Sequence, residues 1–153
     1  MTQAEQRRKV NFPLEKDEDG YPPFDWEGIW AEPVGEGAWQ IDNIPFFVYE
    51  VSNRDIVRAN EADGRLVFDQ VHQRQGHSTL RIIFEDLDLV DAVRATLKQM
   101  GCATEGAHSK RLVAVDVGPE VSLNEVRAYL TATMERGGLE FEDACDQHGQ
   151  AED

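Results

Sequence analysis

The hexapeptide Val121-Ser122-Leu123-Asn124-Glu125-Val126 restricts the fold more than any other stretch of the chain. Ser122 and Glu125 have the S-x-x-E spacing of a capping box, and Val121 and Val126 stand at the two positions of a hydrophobic staple. A helix therefore starts here. Leu123, Val126, Leu130 and Met134 form its apolar stripe, and Gly137-Gly138 ends it. Leu139 and Phe141 then alternate with Glu140 and Glu142, the period of a strand. The same grammar runs upstream. Thr79–Phe84 puts Leu80, Ile82 and Phe84 on one strand face, and a helix is predicted over about Leu87–Met100, with Leu89, Val93, Leu97 and Met100 as its stripe. Asp86, Asp88 and Asp91 crowd the positive end of that helix, and Gly101 stops it. Short strands follow over Cys102–Glu105 and Arg111–Val117. Residues 77–143 thus read βαββαβ, the order of a ferredoxin-like split βαβ unit with both helices on one face of an antiparallel sheet. Many unrelated activities share that architecture, so it fixes little about function.

The front half reads differently. Residues 1–8 are polar and expected to be frayed, and Lys9–Glu15 is a candidate strand that Pro13 confines to an edge. Lys16–Trp26 is a loop by every local signal. Glu27–Val34 and Ala38–Ile44 are predicted strands joined by Gly35-Glu36-Gly37. The most apolar segment is Asp42–Val51, where in extended chain Phe46 and Phe47 point to opposite sides. Asp55–Glu61 and Arg65–Gln73 flank Ala62-Asp63-Gly64, a strong hairpin signal. About five short strands make a small antiparallel β-lobe, a curled sheet or partial barrel. No Ser/Gly/Pro linker separates the halves. The expected fold class is α+β: a β-rich lobe over 1–76 continuous with, and packed as one unit on, the ferredoxin-like lobe over 77–143. The segment 144–153 lacks apolar periodicity and is predicted to be an acidic disordered tail. The second face of the back sheet, with Arg81, Ile83, Leu112 and Ala114, needs cover from the front lobe or from a second copy, which leaves room for a homodimer.

Charge sets the class of partner. Fifteen Lys and Arg against thirty Asp and Glu give a net charge of −15, shared by both halves. Such a surface repels nucleic-acid phosphate and anionic membranes and attracts a basic protein partner. No apolar run approaches the roughly 18–20 residues of a membrane span, and the polar start does not have the form of a secretory signal. Cys102 and Cys145 fit free thiols in a reducing cytoplasm.

Candidate chemistry is sparse. His77 and Ser78 are adjacent, so on one strand they face opposite ways and do not form a nucleophile–base pair; Asp69 or His72 would have to serve them from across a hairpin. A turn-and-cap element suits them better. Cys145-x-x-His148 has no second half to complete a zinc site. Asp17, Asp19 and Gly20 begin a calcium-loop pattern, but Gly28 stands where its bidentate Glu belongs. No glycine-rich phosphate loop is present. Cys102 follows a helix C-terminus, which discourages its thiolate. No catalytic residue, metal or cofactor is assigned. The expected function is a non-catalytic, acidic, cytoplasmic binding protein. Asp17, Glu18, Asp19, Asp25, Asp88 and Asp91 would meet the partner, with Phe46 or Phe47 as apolar anchor. One alternative is a small-molecule sensor or carrier with a ligand between the lobes near Trp26, Trp30, Phe47, His77 and Ser78; another is a hydrolase using His77 and Ser78.

Several segments taken together carry a resemblance. D-E-D-G-Y-P-P (Asp17–Pro23), E-G-I-W-A (Glu27–Ala31), D-N-I-P-F-F (Asp42–Phe47), D-I-V-R-A (Asp55–Ala59) and G-H-S-T-L-R (Gly76–Arg81) resemble the bacterial domain-of-unknown-function family numbered 4265. The resemblance implies the fold and a bacterial cytoplasmic origin, and it carries no catalytic residues over. In kind, an acidic ferredoxin-like protein is also similar to bacterial ribonuclease inhibitors and toxin-neutralising immunity proteins. The expectation is therefore an inhibitor or immunity-type protein that occludes a basic toxin or nuclease.

Overall fold

Strands that run up and down in turn leave the first and fifth pointing the same way, so a five-stranded meander closes on itself only through a parallel seam. A computed structural model of the chain, which describes residues 7–107 and 111–148, shows this closure. Its strands are β1 (Arg8–Pro13), β2 (Trp26–Gly35), β3 (Ala38–Ile41), β4 (Ile56–Ala62) and β5 (Arg65–Gln73). Consecutive strands pair antiparallel, and β1 meets β5 in parallel through Val10↔Leu66 and Asn11↔Val67. The Asn11 side-chain amide donates to the Leu66 carbonyl at 3.0 Å across that seam. The expected partial barrel is thus a closed one, and β1 is not an edge. Pro13 is tolerated because it lies beyond the two residues that pair with β5, where no amide is required. Register shifts in the β2–β3 and β4–β5 pairs supply the bends that closure needs. Val10, Phe12, Ile29, Ala31, Ile41, Val57, Ala59 and Leu66 fill the interior. At the β4–β5 turn Asp63 and Gly64 have φ of 53° and 81°, the two positive values a type I′ hairpin demands.

The chain divides into two compact units between Gln75 and Gly76. The second comprises β6 (Ser78–Phe84), a single 3-10 turn (Leu87–Leu89), α1 (Val90–Gln99), β7 (Ala103–Gly106), β8 (Leu112–Val117), α2 (Leu123–Arg136) and β9 (Leu139–Cys145). Its four strands form an antiparallel sheet in the order β7-β8-β6-β9. Leu80, Ile82 and Phe84 of β6 and Val113, Val115 and Val117 of β8 share one buried core with Val93 and Leu97 of α1 and Leu123, Val126 and Leu130 of α2. Ser122 caps α2 by accepting from the Glu125 amide at 3.2 Å. Asp86 caps this segment by accepting from the Asp88 amide at 3.0 Å, and backbone i→i+3 bonds from Leu89 to the Asp86 carbonyl and from Val90 to the Leu87 carbonyl make its first turn 3-10, so α1 itself starts later than its apolar spacing predicts. On the opposite sheet face Arg81, Leu112 and Ala114 are buried, while Ile83 is exposed. The molecule is therefore α+β, mostly strand with two helices.

The tail expected from Ala144 needs correction. β9 continues through Cys145, and Ala144, Cys145 and His148 are buried. Arg127 of α2 holds Asp143 at 2.7 Å and Asp146 at 2.9 Å, which carries the ordered chain past the end of β9. Of the segments expected to be frayed or disordered, residues 1–6 and 149–153 lie outside the described residues, whereas Arg8 belongs to β1 and pairs with Ala31. Among the described residues no helix is long and apolar enough to cross a membrane.

Candidate functional site: an acid-rimmed aromatic cluster

Two loops of the barrel unit bring most of the expected partner-binding residues together. The first joins β1 to β2. Its neck is closed by the Leu14 amide on the Asp25 carbonyl at 2.9 Å, directly beyond the last strand pair, Pro13↔Trp26. Asp17 organises its tip: one carboxylate oxygen accepts from the amides of Asp19 and Tyr21, both at 2.9 Å, while the Asp17 amide donates to the Tyr21 carbonyl. Such side-chain-to-backbone bonds are why Asp favours turns, and Gly20 supplies the required positive φ of 78°. The loop therefore holds Tyr21 and Phe24 outward, 49% and 52% exposed.

The second loop, Asp42–Asp55, includes the segment Asp42–Val51 that was expected to be extended chain. It contains no strand. Asn43 bonds the Ile44 amide, Pro45 has no amide to offer, and the next three amides are taken by one carboxylate. Glu27 of β2 accepts from Phe46 N at 2.6 Å and from Phe47 N and Val48 N at 2.9 Å each. These charge-assisted bonds outcompete a strand ladder for that backbone. Phe46 and Phe47 are consequently both half-buried. The Phe47 ring lies 6.2 Å from Tyr21, edge-on, and 5.6 Å from Phe24, tilted. Both are favourable aromatic geometries. Asp17, Glu18, Asp19 and Asp25 are all exposed in the loop that carries Tyr21 and Phe24, with Lys16 paired to Asp25 at 3.1 Å. The result is an apolar cluster whose own loop supplies four carboxylates. Asp88 and Asp91, also expected in the partner surface, lie exposed at the start of α1 in the second unit.

The residues of the expected ligand pocket belong to both units. Trp26 and Trp30 stand on the outer face of β2, 44% and 37% exposed, with Arg7 and Lys9 over the Trp30 ring at 4.8 and 5.3 Å. Phe47 belongs to the aromatic cluster just described. His77 and Ser78 are in the second unit and do not serve each other. His77 Nδ1 is 2.8 Å from Asp116 Oδ1, while Ser78 Oγ is 2.6 Å from His148 Nδ1. The Gln147 amide also donates to Ser78 Oγ at 2.8 Å, and Ser78 is closed to solvent. Its hydroxyl is thus committed within the fold and out of reach of solvent. Asp69 and His72 have no part in the arrangement; Asp116 and His148 take the places considered for them.

Cys102 is buried, and its thiol is pushed up to about 11, first by burial and second by the Asp116 carboxylate. The expected inertness of its thiol thus has a different main cause from the helix terminus. Neither Cys102 nor Cys145 is in a disulfide. Among the described residues no group of three or more His, Cys, Asp and Glu side chains is placed to hold a metal ion.

Glu27 is the residue that sequence reasoning missed. Its signal was its place in E-G-I-W-A, one residue beyond the acidic loop, and nothing in that local context points to amides some twenty residues away.

No curated protein matches this chain. Among solved structures it is similar to a hypothetical protein from Neisseria gonorrhoeae, with a TM-score of 0.79 at 19% identity, over 91% of this chain and 94% of that one. That likeness speaks to the fold alone. The family model described as Domain of unknown function (DUF4265) matches residues 27–141, from β2 into β9. The match takes in Glu27 and the D-N-I-P-F-F loop, leaves out the acidic D-E-D-G-Y-P-P loop, and covers most of the length, so the chain belongs to the DUF4265 family.

Proposed function

We propose that this protein is a non-catalytic binding protein that occludes a basic protein partner, in the manner of an inhibitor or immunity protein, and that the aromatic cluster of Tyr21, Phe24 and Phe47 is its anchor. The observation that carries the reading is the placement of Tyr21 and Phe24, about half exposed, around a Phe47 whose backbone is fixed by Glu27. Rigid aromatics offer large contact area at low entropic cost and dominate binding energies when a partner desolvates them. Asp17, Glu18, Asp19 and Asp25 would form the polar rim, whose role is to steer a cationic surface and set the rate of association. The net charge of −15 extends that steering over the whole surface and opposes nucleic acid and anionic membrane as partners. The second unit we read as ferredoxin-like, which its βαββαβ order and β7-β8-β6-β9 sheet support. Two buried cysteines that form no disulfide suit a reducing cytoplasm.

The test is capture from native lysate of the bacterial source at low and high ionic strength, run beside Tyr21→Ala/Phe24→Ala and Asp17→Asn/Asp19→Asn/Asp25→Asn. A basic protein retained by the wild type should be lost from the aromatic variant, at a cost of at least about tenfold in affinity, or ~1.4 kcal/mol. The acid variant should associate more slowly and lose salt sensitivity while its dissociation rate holds. Equal retention by the aromatic variant and the wild type, or the absence of any basic partner, would overturn the reading.

A further inference from the structure

We infer that the open edge of β7 is a second contact for the same partner, where a basic, extended segment of that partner adds as a fifth strand beside α1. The inference rests on the basic-partner reading and names a part of the partner that reading leaves open.

β7 is the terminal strand of its sheet and pairs with β8 alone. The Ala107 amide donates to the Leu112 carbonyl at 2.9 Å, so by antiparallel alternation Ala103, Glu105 and Ala107 bond inward, and the backbone groups of Thr104 and Gly106 face outward. Arg94 of α1 marks that outward side: its Nη2 donates to the Thr104 carbonyl at 3.3 Å and its Nε to Thr104 Oγ1 at 3.0 Å. A carbonyl accepts twice, so this bond leaves room for a strand. Edges are protected by short strands, charged side chains, Pro or a bulge; β7 is four residues long, Ala-Thr-Glu-Gly, with no Lys, Pro or bulge, and its one charged side chain, Glu105, has the sign that suits a cationic strand. Its glycine adds no side chain to obstruct an approaching backbone, and a Cβ there would stand 3.1 Å from Arg94 Nη1.

Beside this edge lies a cleft of about 670 Å³, lined by Leu87, Val90, Asp91 and Arg94 on one side and by Thr104–Ala107 on the other, with Val113 between. The size suits a short extended segment or a small ligand. Charge decides between occupants. Asp91 and Glu105 line the cleft, Asp86 and Asp88 stand exposed at the start of the helical segment, and the one cation among the described lining residues, Arg94, is already hydrogen-bonded to Thr104. Lysines or arginines at alternate positions of an added strand would meet these carboxylates, while backbone pairing with Thr104 and Gly106 supplies affinity. A second copy of this chain would set Glu105 and Asp91 against their own equivalents, which like-charge repulsion disfavours.

The experiment titrates the isotope-labelled full chain, at low ionic strength, with acetyl-Lys-Val-Lys-Val-Lys-amide and with the same peptide carrying Glu for Lys. The lysine peptide should shift the Thr104 and Gly106 amides and slow their exchange with solvent, and the glutamate peptide should do neither. Asp91→Lys, an exposed change, should weaken binding of the lysine peptide about tenfold; Gly106→Pro, which deletes an outward amide, should abolish it. Shifts that avoid β7 and α1, equal binding of both peptides, insensitivity to Asp91→Lys, or dimerisation through β7 would each overturn the inference. The two readings fail separately, because β7 amides report on the edge and partner capture by Tyr21→Ala/Phe24→Ala reports on the barrel.

Discussion

The hydroxyl of Ser78, at the start of β6, lies 2.6 Å from Nδ1 of His148, just beyond β9. The other ring nitrogen, Nε2, is 2.8 Å from the Gly118 carbonyl. A carbonyl only accepts, so Nε2 carries a proton, and Nδ1 is left to pair with the Ser78 hydroxyl. Ser78 in turn accepts from the Gln147 amide at 2.8 Å, and the Gln147 side chain accepts from the Gly76 amide at the same distance. One hydroxyl thus ties Gln147 and His148 to the first residues of the unit.

Ser78→Ala leaves both the Gln147 amide and His148 Nδ1 without this partner in a buried place. An unsatisfied buried polar group costs about 1–3 kcal/mol, so chemical denaturation should register a loss of that size. Hydrogen exchange at Gln147 and His148 should accelerate, whereas the Glu27-bound amides of the barrel should keep their rates. Unchanged exchange at Gln147 would mean that the segment is held by other contacts.

Cys102 gives a pH dependence of known sign. Its thiol titrates at about 11 in the folded protein against an ordinary 9.0. Between those values the unfolded chain releases a proton that the folded chain retains, so the unfolded state binds fewer protons and stability falls as pH rises. The contribution is intact below pH 9 and is lost progressively toward pH 11, by about 2–3 kcal/mol in all. Cys102→Ala should therefore have the flatter stability curve over this window. Parallel curves for the two proteins would show that other groups set the alkaline limb.

These two sites also show where the sequence is legible. Ser122 and Glu125 are three residues apart, and Asp63-Gly64 makes its own turn, so the α2 cap and the β4–β5 hairpin could be read from local chemistry. Ser78 and His148 are separated by 70 residues and the two sides of the barrel seam by about as many as Asn11 and Leu66, which are 55 apart. No periodicity encodes such pairings. The Asp42–Val51 segment was misread for a related reason: its apolar content resembles a strand, but the competitor for its amides, Glu27, sits in another element. The acids of the candidate site were legible as a charged loop; that they share it with Tyr21 and Phe24 packed on Phe47 depends on that distant carboxylate.

Two adjacent glycines after α2 separate backbone strain from crowding. Gly137 and Gly138 have φ of 94° and 105°, so any side chain is strained at either. A Cβ at Gly137 meets nothing within 4 Å, whereas one at Gly138 falls 2.6 Å from Leu89 Cδ1 and 3.2 Å from Asp86 Cβ. Gly138→Ala should thus be less stable than Gly137→Ala by the cost of overpacking, about 1–3 kcal/mol. Equal losses in thermal unfolding would mean that Leu89 swings aside without penalty.

Glu27 links stability to the proposed binding role. Its carboxylate receives three successive amides of the loop that carries Phe47, and hydrogen bonds to a charged group contribute about 1.5–3 kcal/mol each. Glu27→Ala removes the acceptor altogether and should release the exchange of the Phe46, Phe47 and Val48 amides. Glu27→Gln keeps an acceptor oxygen at lower charge and should give an intermediate result. If Phe47 acts as the support on which Tyr21 and Phe24 are presented, partner affinity should fall in the same order, Glu27→Ala below Glu27→Gln below wild type. That ranking must appear as a faster dissociation, because the rim carboxylates that steer the encounter are untouched. Loss of amide protection with affinity unmoved would separate the carboxylate from recognition and leave it a purely structural residue.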